Sequence, residues 1–180
     1  TCALPIYNID VHQHAVIIET DGPKISSSIV GRQVATGDFD GDGLMDILVP
    51  DMDYGCLYIN TGQEFFTEIS AQSGLAAVSG QYTSWSGKFL DIDNNGLLDI
   101  MLTNGDTHFF EPEEDVFLRN LGNKRLEDIS KLLGTDFQRK MMGRGSATGD
   151  IDNDGDLDIL VTNLNSPPVL YRNDGGNRNH

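Results

Sequence analysis

The chain has 180 residues, of which 38% are hydrophobic and 20 are glycine, and its 12 basic and 28 acidic side chains give a net charge of −16. This charge repels the phosphates of nucleic acids and of anionic lipids, so the composition excludes nucleic acid as an expected partner. A membrane span is not expected either, because no apolar run reaches the roughly 20 residues that a spanning helix needs.

The first 30 residues are predicted to hold one strand, within the stretch YNIDVHQHAVIIET that begins at Tyr7. His12 and His14 are two residues apart and therefore share one face of such a strand. That face is either an ordinary polar surface, which we favour, or a pair of ligands for a transition metal. Cys2 either pairs with Cys56 in an oxidising compartment or leaves Cys56 as a small buried apolar side chain.

The rest of the chain repeats itself. The stretch GRQVATGDFDGDGLMDILV returns later as GRGSATGDIDNDGDLDILV, and a third copy, SGKFLDIDNNGLLDIMLTN, lies between them. The copies are followed by LYINTG, LYRNDG and FLRNLG, respectively. Their leading aspartates are Asp38, Asp91 and Asp150, and the second spacing is longer because of the insertion GDTHFFEPEEDV. Such periodicity predicts one supersecondary unit used three times.

The sequence predicts four short strands in each unit, and in the first unit these are expected at residues 33–38, 45–50, 56–60 and 65–69. The Asn-x-Gly motifs after the third strands supply residues that tolerate the positive φ of tight hairpins. Helical periodicity is almost absent, and only residues 129–133 indicate a turn of helix. A unit of four antiparallel strands has the size of a β-propeller blade.

The expected fold class is therefore all-β and β-propeller-like, with about three four-stranded antiparallel blades. Residues 31–80 are assigned to blade 1, residues 81–140 to blade 2 and residues 141–180 to an incomplete blade 3. Segment 1–30 is assigned to a strand that completes a blade or belongs to a preceding one. Because propellers close with about 4 to 8 blades, we expect a partial propeller of a longer protein or one completed by other copies.

The three acidic loops share the spacing Asp-x-Asp-x-Asp/Asn-Gly-x-x-Asp. Alternate residues of a tightly curled loop point their oxygens at one centre, and Ca²⁺ takes six to eight oxygen ligands. With the leading aspartate as position 1, the predicted ligands are the side chains at positions 1, 3, 5 and 9 and the backbone carbonyl at position 7. They are Asp38, Asp40, Asp42, Leu44 and Asp46; Asp91, Asp93, Asn95, Leu97 and Asp99; and Asp150, Asp152, Asp154, Asp156 and Asp158.

These loops predict about three bound Ca²⁺ ions, with Mg²⁺ as the lesser candidate because it demands stricter octahedral geometry. The second site is expected to bind more weakly, because the neutral amide of Asn95 replaces a carboxylate. Acidic turns that merely solubilise loops are the competing interpretation, which the threefold recurrence disfavours. EF-hand loops are excluded because position 12 is apolar in all three copies and β-forming residues follow.

Three further features have two interpretations each. The acidic insertion with Phe109 and Phe110 is either a solvated loop, which we favour, or a partner contact. Trp85 is expected to pack in the core, with a sugar-stacking platform as the alternative. Arg139, Lys140 and Arg144 belong to the basic cluster QRKMMGRG, which is expected to balance neighbouring acidic loops rather than to serve a sugar lyase.

The loops resemble the FG-GAP repeats, also called VCBS repeats, of integrin-α-type β-propellers, over roughly residues 31–176. The ending from Ala147 is similar to the segment that leads into the ASPIC/UnbV region of secreted proteins related to cartilage acidic protein. The resemblance implies a calcium-stabilised propeller outside the cytoplasm, extracellular or periplasmic, that serves binding. Members of that group continue into a further β-rich region beyond the part matched here.

The expected function is therefore a calcium-binding module that recognises a protein or glycan or assembles with copies of itself. It is not expected to be an enzyme, because the sequence has no nucleophile motif, no zinc-type histidine cluster and no phosphate-binding glycine loop. The alternative is a calcium-dependent polysaccharide lyase or hydrolase on a propeller scaffold.

Overall fold

The structure, a computed structural model, describes residues 33–62, 65–106 and 111–175. Its strands form three antiparallel sheets in which each strand pairs with the next one along the chain. The first sheet contains β1 (Ala35–Gly37), β2 (Asp46–Val49), β3 (Cys56–Asn60) and β4 (Phe66–Glu68). The second contains β5 (Ser84–Leu90), β6 (Asp99–Asn104), β7 (Val116–Asn120) and β8 (Leu126–Asp128), and the third β9 (Gly143–Gly149), β10 (Asp158–Asn163) and β11 (Ser166–Tyr171).

This arrangement confirms the all-β, propeller-like fold class. The innermost strands β1, β5 and β9 lie side by side, so the three sheets form successive blades of a partial propeller. We call them the first, second and third blades. The third has three strands within the described residues.

The core lies between the blades, because period-2 alternation gives each inner strand two apolar faces. In β6, Ile100 and Leu102 pack with Leu48 of the first blade. The intervening Met101 points the other way and packs with Ile159 and Val161 of the third blade. Because both faces of the sheet are buried, the sequences of the inner strands are continuous apolar blocks.

Glycines allow the inner strands to approach the neighbouring blade closely. A Cβ atom added at Gly87 would lie 2.8 Å from side-chain atoms of both Leu48 and Pro50. At Gly143, an added Cβ would lie 2.5 Å from Cγ2 of Thr103 and 2.9 Å from the carbonyl oxygen of Asn104. Any larger residue at these positions would push two blades apart.

The connection from the first to the second blade corrects the sequence prediction, which expected almost no helix. It contains two short helices, α1 (Ser70–Ser73) and α2 (Leu75–Ser79). They are too short to show a helical period, and tertiary hydrogen bonds hold them instead. The hydroxyl oxygens of Ser70 and Ser79 accept hydrogen bonds from the backbone N–H groups of Leu57 and Gly55, both at 2.8 Å. The predicted turn of helix near residues 129–133 is confirmed as a 3-10 turn at Ser130–Leu132.

The insertion of the second blade lies between β6 and β7, and its acidic end is not the solvated loop that we favoured. Glu113 exchanges backbone hydrogen bonds with Met141, and its carboxylate accepts one from the N–H of Thr83 at 2.8 Å. Asp115 is only 2% exposed. Phe109 and Phe110 lie outside the described residues.

The predicted N-terminal strand, the His12 and His14 pair and Cys2 also lie outside the described residues. Cys56 is buried and has no disulfide partner among the described residues, and its pairing with Cys2 stays a prediction because Cys2 lies outside them. Burial raises the pKa of the Cys56 thiol to about 11.

Candidate metal centres

Each acidic loop turns through left-handed backbone at the same two positions. The glycine at position 6 has φ of +87° at Gly43, +86° at Gly96 and +94° at Gly155. Position 4, which is Gly41, Asn94 or Asn153, also has positive φ. Glycine adopts this conformation without steric cost and asparagine tolerates it, so the local sequence specifies the tight curl.

The leading aspartate organises each curl from within. In the first loop, Oδ2 of Asp38 accepts a hydrogen bond from the N–H of Gly43 at 2.9 Å, and its Oδ1 accepts from Asp42 at 3.0 Å. The carboxylates of Asp91 and Asp150 accept the bonds from the same two positions of their loops. Backbone donors therefore fix the first carboxylate of all three loops in one orientation.

The side chain at position 5 is also fixed by the backbone. The Oδ1 atoms of Asp42, Asn95 and Asp154 each accept a hydrogen bond from the N–H two residues later, at 2.8, 2.8 and 3.0 Å. The amide of Asn95 thus occupies the same local position as the two carboxylates. The second loop differs from the others at this position in charge and not in local hydrogen bonding.

The aspartate at position 9 ties its loop to the hairpin of the same blade. Asp46 accepts one hydrogen bond from the N–H of Phe39 and another from the N–H of Asn60, both at 2.8 Å. The same pair of bonds recurs at the other two loops, with Asp99 between Ile92 and Asn120 and with Asp158 between Ile151 and Asn173. These three aspartates are buried, with exposures of 0%, 0% and 1%.

The folded loops bring most of the predicted carboxylates together. Three acidic side chains in each loop offer oxygen atoms that all lie within 4.8 Å of one another. The groups are Asp38, Asp40 and Asp42; Asp91, Asp93 and Asp99; and Asp150, Asp152 and Asp158. Asp46 and Asp154 are not members of these groups, and the carbonyl oxygens of Leu44, Leu97 and Asp156 remain predicted ligands.

This donor set fits a hard divalent cation. The clustered atoms are all carboxylate oxygens, the ligands that Ca²⁺ and Mg²⁺ take, and the second and third groups include a buried carboxylate. Burial raises the pKa of Asp99 to about 6, although backbone N–H groups of Asn120 and Ile92 oppose the shift. A cation beside Asp99 would favour its ionised form, because the two backbone N–H donors only partly replace the hydration lost on burial.

Side chains from the following blade reach back to each of the first two loops, a feature that the sequence analysis missed. Asn120 donates a hydrogen bond to the carbonyl oxygen of Phe39 at 3.0 Å, and Asn173 donates the equivalent bond to Ile92 at 2.9 Å. The ammonium of Lys124 lies 2.8 Å from Oδ2 of Asp40. The recurrence of the Asn-x-Gly motif, interpreted above only as a turn, was the available signal for the asparagines.

The loops of the second and third blades also touch directly. Asn94 donates from Nδ2 to Oδ1 of Asp156 at 2.8 Å, and both side chains are at least partly buried. Asp156 was expected to contribute its carbonyl oxygen only. Its carboxylate instead helps to join two acidic loops, which places the three candidate sites along one connected edge of the blades.

The other candidate residues lie away from these clusters. The guanidinium carbon of Arg144 stacks 4.2 Å from the ring centroid of Trp85, and the indole N–H donates to the carbonyl oxygen of Gly105 at 2.7 Å. Arg144 also donates to Gly105, at 3.1 Å, so these side chains fasten the end of β6 to the start of β9. Arg139 is exposed.

Asp115 is the most deeply buried acid at that end of the blades. Its Oδ1 accepts a hydrogen bond from the N–H of Asn104 at 3.0 Å, whereas Oδ2 has no hydrogen-bond partner within the described residues. Burial raises the pKa of Asp115 to about 7. The side chain therefore carries a proton over much of the weakly acidic range.

Comparison with known proteins adds one similarity. No curated protein matches the chain. Among the described residues, no helix has the length and apolar character needed to cross a membrane. The family described as the FG-GAP-like repeat matches residues 38–102, from position 1 of the first acidic loop to position 12 of the second. This part of the chain, with its two acidic loops and the blade between them, is therefore similar to the FG-GAP repeat.

Proposed function

We propose that the chain is a calcium-binding module that acts outside the cytoplasm, by binding a protein or glycan or by assembling into a larger structure. The proposed role is binding rather than catalysis. Three Ca²⁺ ions would rigidify the loops that connect the first and second strands of each blade. We also propose that the segment from Ala147 is related to the proteins that carry an ASPIC/UnbV region.

The observation that carries the proposal is the threefold repetition of one loop geometry. Each loop has left-handed backbone at position 6, a leading aspartate held by two N–H groups and a position 9 aspartate held by two more. Solubilising turns do not require this arrangement. A loop that presents several carboxylates to one point does require it, because like charges within 4.8 Å repel in the absence of a cation.

The ligand chemistry favours Ca²⁺ over other metals. Clusters of carboxylates without histidine or cysteine suit hard cations, and the predicted carbonyl ligands suit Ca²⁺ better than Mg²⁺, which demands stricter octahedral geometry. Extracellular calcium modules bind with dissociation constants of about 10⁻⁴ to 10⁻³ M. Open, partly exposed sites such as those around Asp38 and Asp150 are compatible with that range, which supports a location outside the cytoplasm.

The third blade offers the surface for assembly. Its outer face carries Ile151, Leu160 and Leu170, which are 54%, 37% and 47% exposed. Their counterparts in the first blade, Phe39, Leu48 and Leu57, are at most 1% exposed because the second blade covers them. A further blade of the same type would bury this face in the same manner, and an apolar patch of this kind is typical of an interaction site.

The experiment that tests the calcium proposal compares thermal unfolding in Ca²⁺, in Mg²⁺ and in EDTA. Binding to the folded state alone raises stability by RT ln(1 + [L]/Kd), about 2.7 kcal/mol per site at 100 times Kd. We expect a melting temperature that rises with the logarithm of Ca²⁺ concentration and much less with Mg²⁺. A curve indifferent to both Ca²⁺ and EDTA would contradict the proposal.

A variant of the chain supplies the matched control. Asp42→Asn keeps the size of the side chain and the oxygen that accepts from the N–H group of Leu44, as Asn95 does in the second loop, but it removes one charge from the first site. This variant should retain the calcium response of two sites. Loss of the entire response in this variant would show that the sites do not act as separate loops.

A further inference from the structure

The aspartates at position 9 of the first two loops are joined by a continuous chain of hydrogen bonds. Asp46 of the first loop accepts from the N–H of Phe39, and the carbonyl oxygen of Phe39 accepts from the side-chain amide of Asn120 at 3.0 Å. The backbone N–H of Asn120 in turn donates to Oδ1 of Asp99 in the second loop at 2.8 Å. Two residues therefore connect predicted ligands of two different sites.

The chain of hydrogen bonds continues from the second loop to the third. The other carboxylate oxygen of Asp99, Oδ2, accepts from the N–H of Ile92 at 3.2 Å. The carbonyl oxygen of Ile92 accepts from the side-chain amide of Asn173, and the N–H of Asn173 donates to Oδ1 of Asp158, both at 2.9 Å. Asp99 thus lies in the middle of the chain and uses both of its oxygens in it.

The chain passes through the backbone between the first two predicted ligands of a loop. Phe39 and Ile92 occupy position 2 of their loops, directly between the aspartates at positions 1 and 3. The N–H of each is held by the position 9 aspartate of its own loop, and the carbonyl oxygen by an asparagine of the next blade. Both peptide units around position 2 are therefore held, and their orientation limits where the flanking carboxylates point.

Asn120 is held from several sides, so a shift of one partner is passed to the others. It is 3% exposed, its amide also donates to the carbonyl oxygen of Leu98 at 3.0 Å, and its Oδ1 accepts from the N–H of Gly122 at 2.9 Å. Buried polar groups lose much free energy when they are left without a partner, so the side chain moves together with the groups that it binds. Displacement of either loop is thereby felt at the other.

The first blade provides a comparison that lacks the bond to another loop. Asn60 occupies the place of Asn120 in its hairpin, and its N–H donates to Asp46 at 2.8 Å. Among the described residues its side-chain amide makes one exposed bond, 3.2 Å from the carbonyl oxygen of Met45 in the same loop. A hairpin asparagine can therefore hold its own loop alone, and the bond to a neighbouring loop is a separate property of Asn120 and Asn173.

We propose that Asn120 and Asn173 are positioning residues that make the three calcium sites cooperative, so that an ion in one loop raises the affinity of the next. This inference rests on the proposed calcium-binding function and concerns the coupling between its sites. An ion holds the position 9 aspartate of its loop, and the chain then holds the backbone beside the first two ligands of the neighbouring loop. Part of the entropy cost of ordering that loop is already met, and linkage makes the coupling equal in both directions.

A substitution in the second loop tests the coupling, because its effect on the other loops needs the chain. Asn95→Asp adds a carboxylate to the second site and keeps an oxygen for the N–H of Leu97. The full protein, labelled with ¹⁵N at glycine, is titrated with CaCl₂ in about 0.15 M salt, which screens charges more than about 8 Å apart. The amides of Gly43, Gly96 and Gly155 report the three sites separately, since each donates to the leading aspartate of its loop.

We expect Asn95→Asp to lower the calcium midpoint at Gly96 directly. Because the second site then fills earlier, the midpoints at Gly43 and Gly155 should fall as well, by up to about fivefold, which is what one net hydrogen bond contributes. In the background of Asn120→Ala the shift at Gly43 should disappear while the shift at Gly155 persists. A general loss of structure in that variant would instead change all three titrations alike.

Two further variants complete the test. Asn60→Ala changes the hairpin of the first blade without cutting the chain, so both shifts should remain as in the parent. Asn173→Ala takes the place of Asn120→Ala if the latter does not fold. It should reduce the shift at Gly155 rather than abolish it, because the second and third loops also touch directly, and it should leave the shift at Gly43 unchanged.

The possible failures of the coupling and of the calcium function are distinguishable. Glycine amides that respond to Ca²⁺, but with a midpoint at Gly43 that is indifferent to Asn95→Asp, would overturn the coupling and leave the calcium function intact. A shift at Gly43 that survives in Asn120→Ala would overturn the role of that asparagine. Three glycine amides that do not respond at millimolar Ca²⁺ would contradict the proposed function and the coupling together.

Discussion

Replacement of Asn120 by alanine tests whether one side chain fastens two neighbouring blades. Asn120 is 3% exposed, and its amide donates to the carbonyl oxygens of Phe39 and Leu98, both at 3.0 Å. The first bond crosses to the loop of the preceding blade and is buried. Without the amide, two carbonyl groups lose their donor, and a buried polar group left unsatisfied costs about 1–3 kcal/mol.

We therefore expect Asn120→Ala to lower the free energy of unfolding by about 2–4 kcal/mol. The matched control is Asn60→Ala in the first blade. Asn60 also accepts a bond from the N–H two residues later, but its amide makes a single exposed bond, 3.2 Å from the carbonyl oxygen of Met45. Its replacement should cost less than about 1 kcal/mol.

Urea unfolding in saturating Ca²⁺ measures both free energies by linear extrapolation. Equal losses for the two variants would refute the reasoning, because the hairpin turn is common to both and only Asn120 reaches the other blade. A loss for Asn120→Ala smaller than that for Asn60→Ala would refute it as well. Unchanged m-values would confirm that both variants unfold from the same compact state.

Three further variants test other parts of the structure. The stability of Asp115→Asn relative to the parent should rise by about 2 kcal/mol between pH 5.5 and 7. The parent loses stability over this range because the pKa of Asp115 is raised to about 7 in the folded state, whereas the asparagine does not titrate. A difference in unfolding free energy that is independent of pH in urea titrations would contradict this. Gly143→Ala should cost about 1–3 kcal/mol, because its Cβ would lie 2.5 Å from Thr103; unchanged thermal melting would count against the close approach. Asp154→Ala should weaken calorimetric Ca²⁺ binding at its site more than Asn95→Ala does at its own, because the two oxygens make the same local hydrogen bond and differ in charge; equal losses would contradict the charge argument.

The sequence predicted the blade count and most strand positions because the repeat carries its own alignment. Continuous apolar blocks and the fixed place of the Asn-x-Gly turn locate β2 and β3 to within a residue. The curl of each loop was equally predictable, since glycine at position 6 specifies left-handed backbone. Such local signals require no knowledge of the neighbouring blade.

Features that depend on contacts between blades were not predictable in the same way. The helices α1 and α2 are held by serine hydroxyls that accept hydrogen bonds from Leu57 of β3 and from Gly55 just before it, and nothing in the helix sequences indicates those partners. The bond from Asn120 to Phe39 spans 81 residues. Asp115 looked like part of a solvated acidic loop because its burial results from packing near Gly143 of the next blade.

We propose that divalent cations neutralise three clusters of carboxylates and thereby hold the first hairpin of each blade. Diffraction from crystals grown in Ca²⁺, with anomalous differences collected, tests it most directly. We expect three anomalous peaks, one within about 2.3–2.6 Å of carboxylate oxygens in each loop, with the lowest occupancy beside Asn95. Loops that contain only water at millimolar Ca²⁺ would contradict it.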